Sequence, residues 1–79
     1  MEAWRLRREI AEALPPGSTP EKIEEFLQTH TTRWSWDADK GVYRSVLDIK
    51  RAQGVDITIK VEKDRRFSDA NILGFYRTP

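Results

Sequence analysis

His30 is the only histidine in the chain, and Glu24 and Glu25 stand within two helical turns before it. An imidazole beside carboxylates can move protons, but it needs a nucleophile in reach and a group that orients it. The chain has no cysteine, and no serine is flanked by glycines as in a nucleophile elbow. His30 therefore reads as a helix-end histidine favoured by the dipole there. Glu21, Glu24 and Glu25 read as a solvated acidic face. Asp37-Ala38-Asp39-Lys40-Gly41 has the look of a calcium loop, yet its fifth position is Gly41 and its twelfth is Asp48. Such a loop needs an oxygen ligand at the fifth position, Gly at the sixth and a bidentate Glu at the twelfth. The segment reads instead as a hairpin turn. Gly17-Ser18 lacks the spacing and the lysine of a phosphate loop. No catalytic residue, metal ligand or cofactor is expected, and the chain does not read as an enzyme.

Arg33-Trp34-Ser35-Trp36 is the segment with most to offer a ligand. Two tryptophans at alternate positions, with Arg33, Arg44, Arg51 and Lys60 nearby in a sheet, could stack bases beside a phosphate backbone. The competing reading is that both rings complete a core that a chain of this size can barely fill. Their common face is compatible with either, and core completion is the reading favoured here. Arg33, Trp34, Trp36, Arg44 and Lys60 are the candidate binding residues.

The elements that would carry these side chains follow from periodicity. Ala3, Leu6, Ile10, Ala13 and Leu14 recur at helical spacing, with Arg5, Arg8, Glu9 and Glu12 opposite and Trp4 on the flank. Pro15-Pro16-Gly17 ends that helix, because the residue before a proline disfavours helical geometry and Gly17 permits a reversal. Thr19-Pro20-Glu21 starts a second helix, with a cap at Thr19 or, in a capping box with Glu21, at Ser18. Ile23, Phe26 and Leu27 form its apolar stripe, and it ends near Thr29 or His30.

From Thr31 the period becomes two. Thr31–Trp36 is a first strand and Val42–Arg51 a second. In the second, Tyr43, Ser45, Leu47 and Ile49 share one face, and Val42, Arg44, Val46, Asp48 and Lys50 share the other. Gly54–Glu62 is a third and central strand, in which β-branched Val55, Ile57, Ile59 and Val61 alternate with Asp56, Thr58, Lys60 and Glu62. Phe67 to about Arg77 is a fourth, with a bulge or a late start expected at Ser68–Asn71. Short connections favour antiparallel neighbours, since parallel pairs need long crossovers. The expected fold is a single α+β domain, residues 1–79, with two N-terminal helices on one face of a four-stranded antiparallel meander (ααββββ).

Composition limits the partners. Lys and Arg total 14 against 13 Asp and Glu, for a net charge of +1. That argues against nucleic-acid binding by bulk charge while leaving room for a local patch. Residues 1–40 carry six Lys/Arg against eight Asp/Glu, and residues 41–79 carry eight against five, with signs interspersed. A hydrophobic fraction of 38% with three Trp, three Phe and two Tyr suits a folded soluble domain. Without cysteine there is no disulfide, thiolate or lipid-bearing thiol. No membrane span or signal peptide is read. The location expected by default is the cytoplasm, or the bacterial envelope if a leader has been removed.

The run from Leu14 to Leu27 (Leu-Pro-Pro-Gly-Ser-Thr-Pro-Glu-Lys-Ile-Glu-Glu-Phe-Leu) resembles the helix-to-helix turn of small bacterial SmpA/BamE-like domains. Trp34/Trp36, Ile57-x-Ile59-x-Val61 and Lys63-Asp64-Arg65-Arg66-Phe67 fall where that pattern continues, over about residues 6–76. The resemblance implies a scaffold or stabiliser within a larger assembly, and no catalytic residues to carry over. The chain lacks that family's signal peptide and lipid-bearing cysteine. The expected function is a non-enzymatic module that binds another protein, through an open sheet face or an edge strand. A single-stranded nucleic-acid binder using Trp34, Trp36 and neighbouring arginines is the alternative.

Overall fold

The computed structural model describes residues 3–50 and 53–76, and the side chains of Ala3, Trp4, Ile49, Lys50, Phe75 and Tyr76 lie outside the described set, as do Arg51 and Arg77. Two helices, α1 (Ala3–Ala13) and α2 (Pro20–His30), precede four strands: β1 (Arg33–Asp37), β2 (Val42–Lys50), β3 (Gln53–Val61) and β4 (Phe67–Tyr76). The strands form one antiparallel sheet in the order β1-β2-β3-β4, so each pairs with its neighbour in sequence. This is the ααββββ arrangement expected from the periodicities.

Local chemistry accounts for the boundaries. Thr19 is the N-cap of α2, its side chain accepting from the Lys22 amide, and Pro20 opens the helix. Ser18 is not the cap. Its hydroxyl donates to the Pro15 carbonyl at 2.6 Å and braces the turn between the helices. Gly17 (φ +87°) and Gly41 (φ +66°) take the left-handed conformations their turns require. In the hairpin, Gly41 N–H donates to the Asp37 carbonyl and Lys40 N–H to the Asp37 carboxylate, as a tight turn demands. The break expected at Ser68–Asn71 is a bulge: Val61 faces Phe67 while Lys60 faces Asp69.

Both helices cover the same face of the sheet, α1 over β4 and α2 over β1. The core between them is Leu6, Ile10 and Leu14 from α1 and its end, Ile23, Phe26 and Leu27 from α2, and Tyr43, Val55, Ile57, Ile59, Phe67 and Ala70 from the sheet. Trp34, Trp36, Leu47, Val61 and Ile72 pack around it, half-buried. Ala13, expected in the α1 stripe, is exposed. Leu14 takes the last inward position, and the methyl at 13 turns to solvent.

The loop between the helices is stitched to the sheet. Gly17 N–H donates to the Phe67 carbonyl at 2.9 Å and Phe67 N–H donates to the Ser18 carbonyl at 2.8 Å. Arg66 adds a bond from its guanidinium to the Gly17 carbonyl at 2.9 Å. The interhelix end of the helix layer is thus held to the sheet by hydrogen bonds as well as by apolar packing.

Ile57 is wholly buried, whereas its neighbour Asp56 is exposed on the other face. Urea unfolding should show Ile57→Ala costing about 2–5 kcal/mol and Asp56→Ala staying within about 0.5 kcal/mol of the parent. Equal losses would mean that β3 is not covered on one side only.

Candidate functional site

The face of the sheet away from the helices carries Arg33, Ser35 and Asp37 from β1, Val42, Arg44, Val46 and Asp48 from β2, Asp56, Thr58 and Lys60 from β3, and Asp69, Asn71 and Leu73 from β4. Its side chains come from every second residue, as the pleat dictates, and its cross-strand neighbours follow the register Ser35–Arg44–Thr58–Asn71. Across this face runs a shallow open basin of about 470 Å³, lined among others by Arg33, Ser35, Arg44, Val46, Thr58 and Leu73. Its floor mixes hydroxyl, amide and aliphatic groups. Leu73 is 65% exposed at its β4 rim. The arginines are tied down: Arg33 meets Asp48 at 3.2 Å and Arg44 meets Asp37 at 3.7 Å. Exposed pairs of this kind add little stability, but they neutralise and orient the surface.

The five candidate binding residues divide between the two faces. Arg33, Arg44 and Lys60 are exposed on the open face. Trp34 and Trp36 turn toward the helices, where their rings lie 5.9 and 4.8 Å, centroid to centroid, from Tyr43. Trp34 also borders the open basin at the β1 edge. The Trp36 ring and the three candidate cations therefore lie on opposite faces, and only Trp34 reaches the basin that Arg33 and Arg44 line, so the pair does not form a base-stacking platform with them. The ring of His30 packs on Phe26 at 4.4 Å, one turn back on α2.

A second cluster escaped the periodicity argument. Tyr43 is fully buried as a residue, and its hydroxyl donates to a Glu24 carboxylate oxygen at 2.7 Å while accepting from the Arg65 guanidinium at 2.8 Å. Arg65 closes the triangle on Glu24 at 3.5 Å and stacks its guanidinium 4.1 Å from the centroid of a Trp36 ring. To reach there, Arg65 holds a left-handed backbone (φ +64°) that a non-glycine residue adopts at some cost. Its Nε is buried without a hydrogen-bond partner. Stacking on an aromatic face and bonding to a carboxylate and a phenol offset these costs. Reading Glu24 as part of a solvated acidic face missed this, because apolar spacing carries no signal for a polar triangle closed over 41 residues of chain.

Chemically the triangle is a clamp. Burial pushes the Tyr43 phenol up to about 12, aided by its bond to Glu24 and opposed by Arg65. A phenol held protonated so far above neutrality is no proton acceptor near pH 7. Among the described residues no three His, Asp or Glu side chains converge as metal ligands would. None of the described helices is long and apolar enough to cross a membrane.

No family model, curated protein or solved structure matches the chain.

The clamp generates two measurable outcomes. The folded state keeps the Tyr43 proton longer than the unfolded chain, whose tyrosines titrate near 10. Its contribution is therefore intact below about pH 10 and is lost as pH rises toward about 12. Stability against urea should fall across that window, and less steeply in Tyr43→Phe. A double-mutant cycle between Arg65→Ala and Trp36→Phe should give a favourable coupling of about 0.5–1 kcal/mol. Strict additivity would show that the stacked geometry contributes nothing in solution.

Proposed function

We propose that this chain is a non-enzymatic protein-interaction module that docks a partner on the open face of its sheet. The observation that carries this reading is the division of labour between the two faces. One is filled by both helices and the aromatic cluster. The other presents a shallow, charge-balanced basin with hydroxyl, amide and aliphatic groups, rimmed by an exposed leucine. A broad basin of mixed polarity, with its arginines already paired, suits the extended surface of another protein. An enclosed apolar pocket is what a small substrate would want, and the basin is open. The short motifs shared with SmpA/BamE-like domains, whose members act as scaffolds, point the same way. A base-stacking role would draw on tryptophans that face the helices here.

The test is pull-down from a native host extract with face-directed variants. Val46→Glu and Thr58→Arg, in the middle of the open face, should abolish capture of a specific protein while leaving the circular dichroism unchanged. Arg5→Glu and Glu9→Arg, exposed on α1, should not. Capture that ignores the open-face changes would defeat the reading. So would tryptophan quenching by single-stranded DNA that fades with salt, which would favour the nucleic-acid alternative.

A further inference from the structure

We infer that the β4 edge is a self-association site, where a second copy of this chain adds antiparallel with Leu73 at the two-fold axis. Backbone direction decides which groups β4 leaves unpaired. Within one strand, residues whose side chains share a face also aim their N–H and C=O groups to the same side. Phe67, inward-facing, bonds outward to Gly17 and Ser18, away from β3. The inward-facing Ala70, Ile72 and Gly74 must therefore also aim their amides away from β3. Ala70 agrees, since its N–H is taken by the Asp69 carboxylate at 2.8 Å. The start of the edge is thus closed by the interhelix loop and by Asp69, and the stretch around Ile72–Gly74 presents backbone groups that β3 does not use.

What adds there is constrained by charge. Asp69 is the only charged residue of β4, and Ala70–Tyr76 carries none. An identical strand can therefore approach without like charges meeting. An antiparallel pair centred on Leu73 sets Ile72 opposite the partner's Gly74 and Leu73 opposite itself, where two exposed leucines bury each other. The helices agree independently. A two-fold axis normal to the sheet leaves both α1 helices on one face, each over its own β4 and running antiparallel to the other. Helices pack about 8–10 Å apart, and α1 has Arg5, Arg7 and Arg8 in its first part and Glu9 and Glu12 in its second. Antiparallel approach brings basic halves beside acidic halves. The opposite edge offers no comparable match, since β1 is five residues long and begins at Arg33. A second copy, joined in this way, makes one eight-stranded sheet.

Sedimentation equilibrium on the full chain should show the mass rising with concentration from 9.3 kDa toward twice that value. Leu73→Arg, which puts like charges on the axis, should weaken association at least about tenfold. Gly74→Pro should do the same by removing an outward amide. A Cβ at 74 meets nothing within 4 Å, and the lost N–H is not one β3 uses. Because the chain has no cysteine, Leu73→Cys gives a background-free reporter. Its thiols should oxidise to a linked dimer, whereas Asn71→Cys, exposed on the same strand but about 13 Å from its counterpart in this register, should not. A monomer at every concentration overturns the inference, as does association untouched by both Leu73→Arg and Gly74→Pro. Equal cross-linking at 71 and 73 overturns the register. None of these readouts involves the open-face partner, so this inference and the docking proposal can fail separately.

Discussion

A sheet of four strands has two faces, and a chain this short has helices enough for one. That single shortage organises the molecule. Val55, Ile57 and Ile59 must be covered, so both helices go to the same side, and the large apolar residues follow them there. Burial contributes roughly 25 cal/mol per Å² of apolar surface, and both helices supply it on the one covered face. The uncovered face then has to be polar enough to stay in water. It is, apart from Val42, Val46 and the exposed Leu73. A lone exposed leucine is ordinary on a surface, but this one stands on the uncharged part of an edge strand, beside a basin, which is where association surfaces are found.

The core itself is less apolar than its size would suggest. Tyr43 sits at its centre with Trp34 and Trp36 against it, and Ser45 is buried beside them with its hydroxyl donated to the Ile57 carbonyl at 2.9 Å. A small domain gains much area from few aromatic residues, and each polar tip then needs a partner. Glu24 and Arg65 supply that partner for Tyr43. The clamp joins α2, β2 and the β3–β4 turn.

Much of this was legible from residue spacing. The alternation through Val55–Val61 could only be a half-covered strand, and the switch of period at Thr31 marked where helices gave way to sheet. The bulge near Ser68 was visible as a failure of alternation. Ala13 was misread because a stripe at helical spacing does not say where the helix stops facing inward. The tryptophans' shared face was readable, and alternation alone sets Arg33 on the other, but that Arg44 and Lys60 join Arg33 there depends on strand pairing across the sheet. The Glu24–Tyr43–Arg65 triangle could not be read at all. It rests on a left-handed arginine, a conformation that sequence usually signals with Gly or Asn.

The bonds between Gly17, Ser18 and Phe67 have a consequence for motion. Every strand pairing in the sheet is between chain neighbours, so the meander can form by successive local closures, a topology associated with rapid folding. The interhelix clip is different, because it spans some fifty residues and can close only after both layers exist. The amide protons of Gly17 and Phe67 are therefore shielded by the docking of the helical layer itself. Their deuterium uptake would time how often that layer lifts from the sheet as a unit, independently of any fraying within the strands.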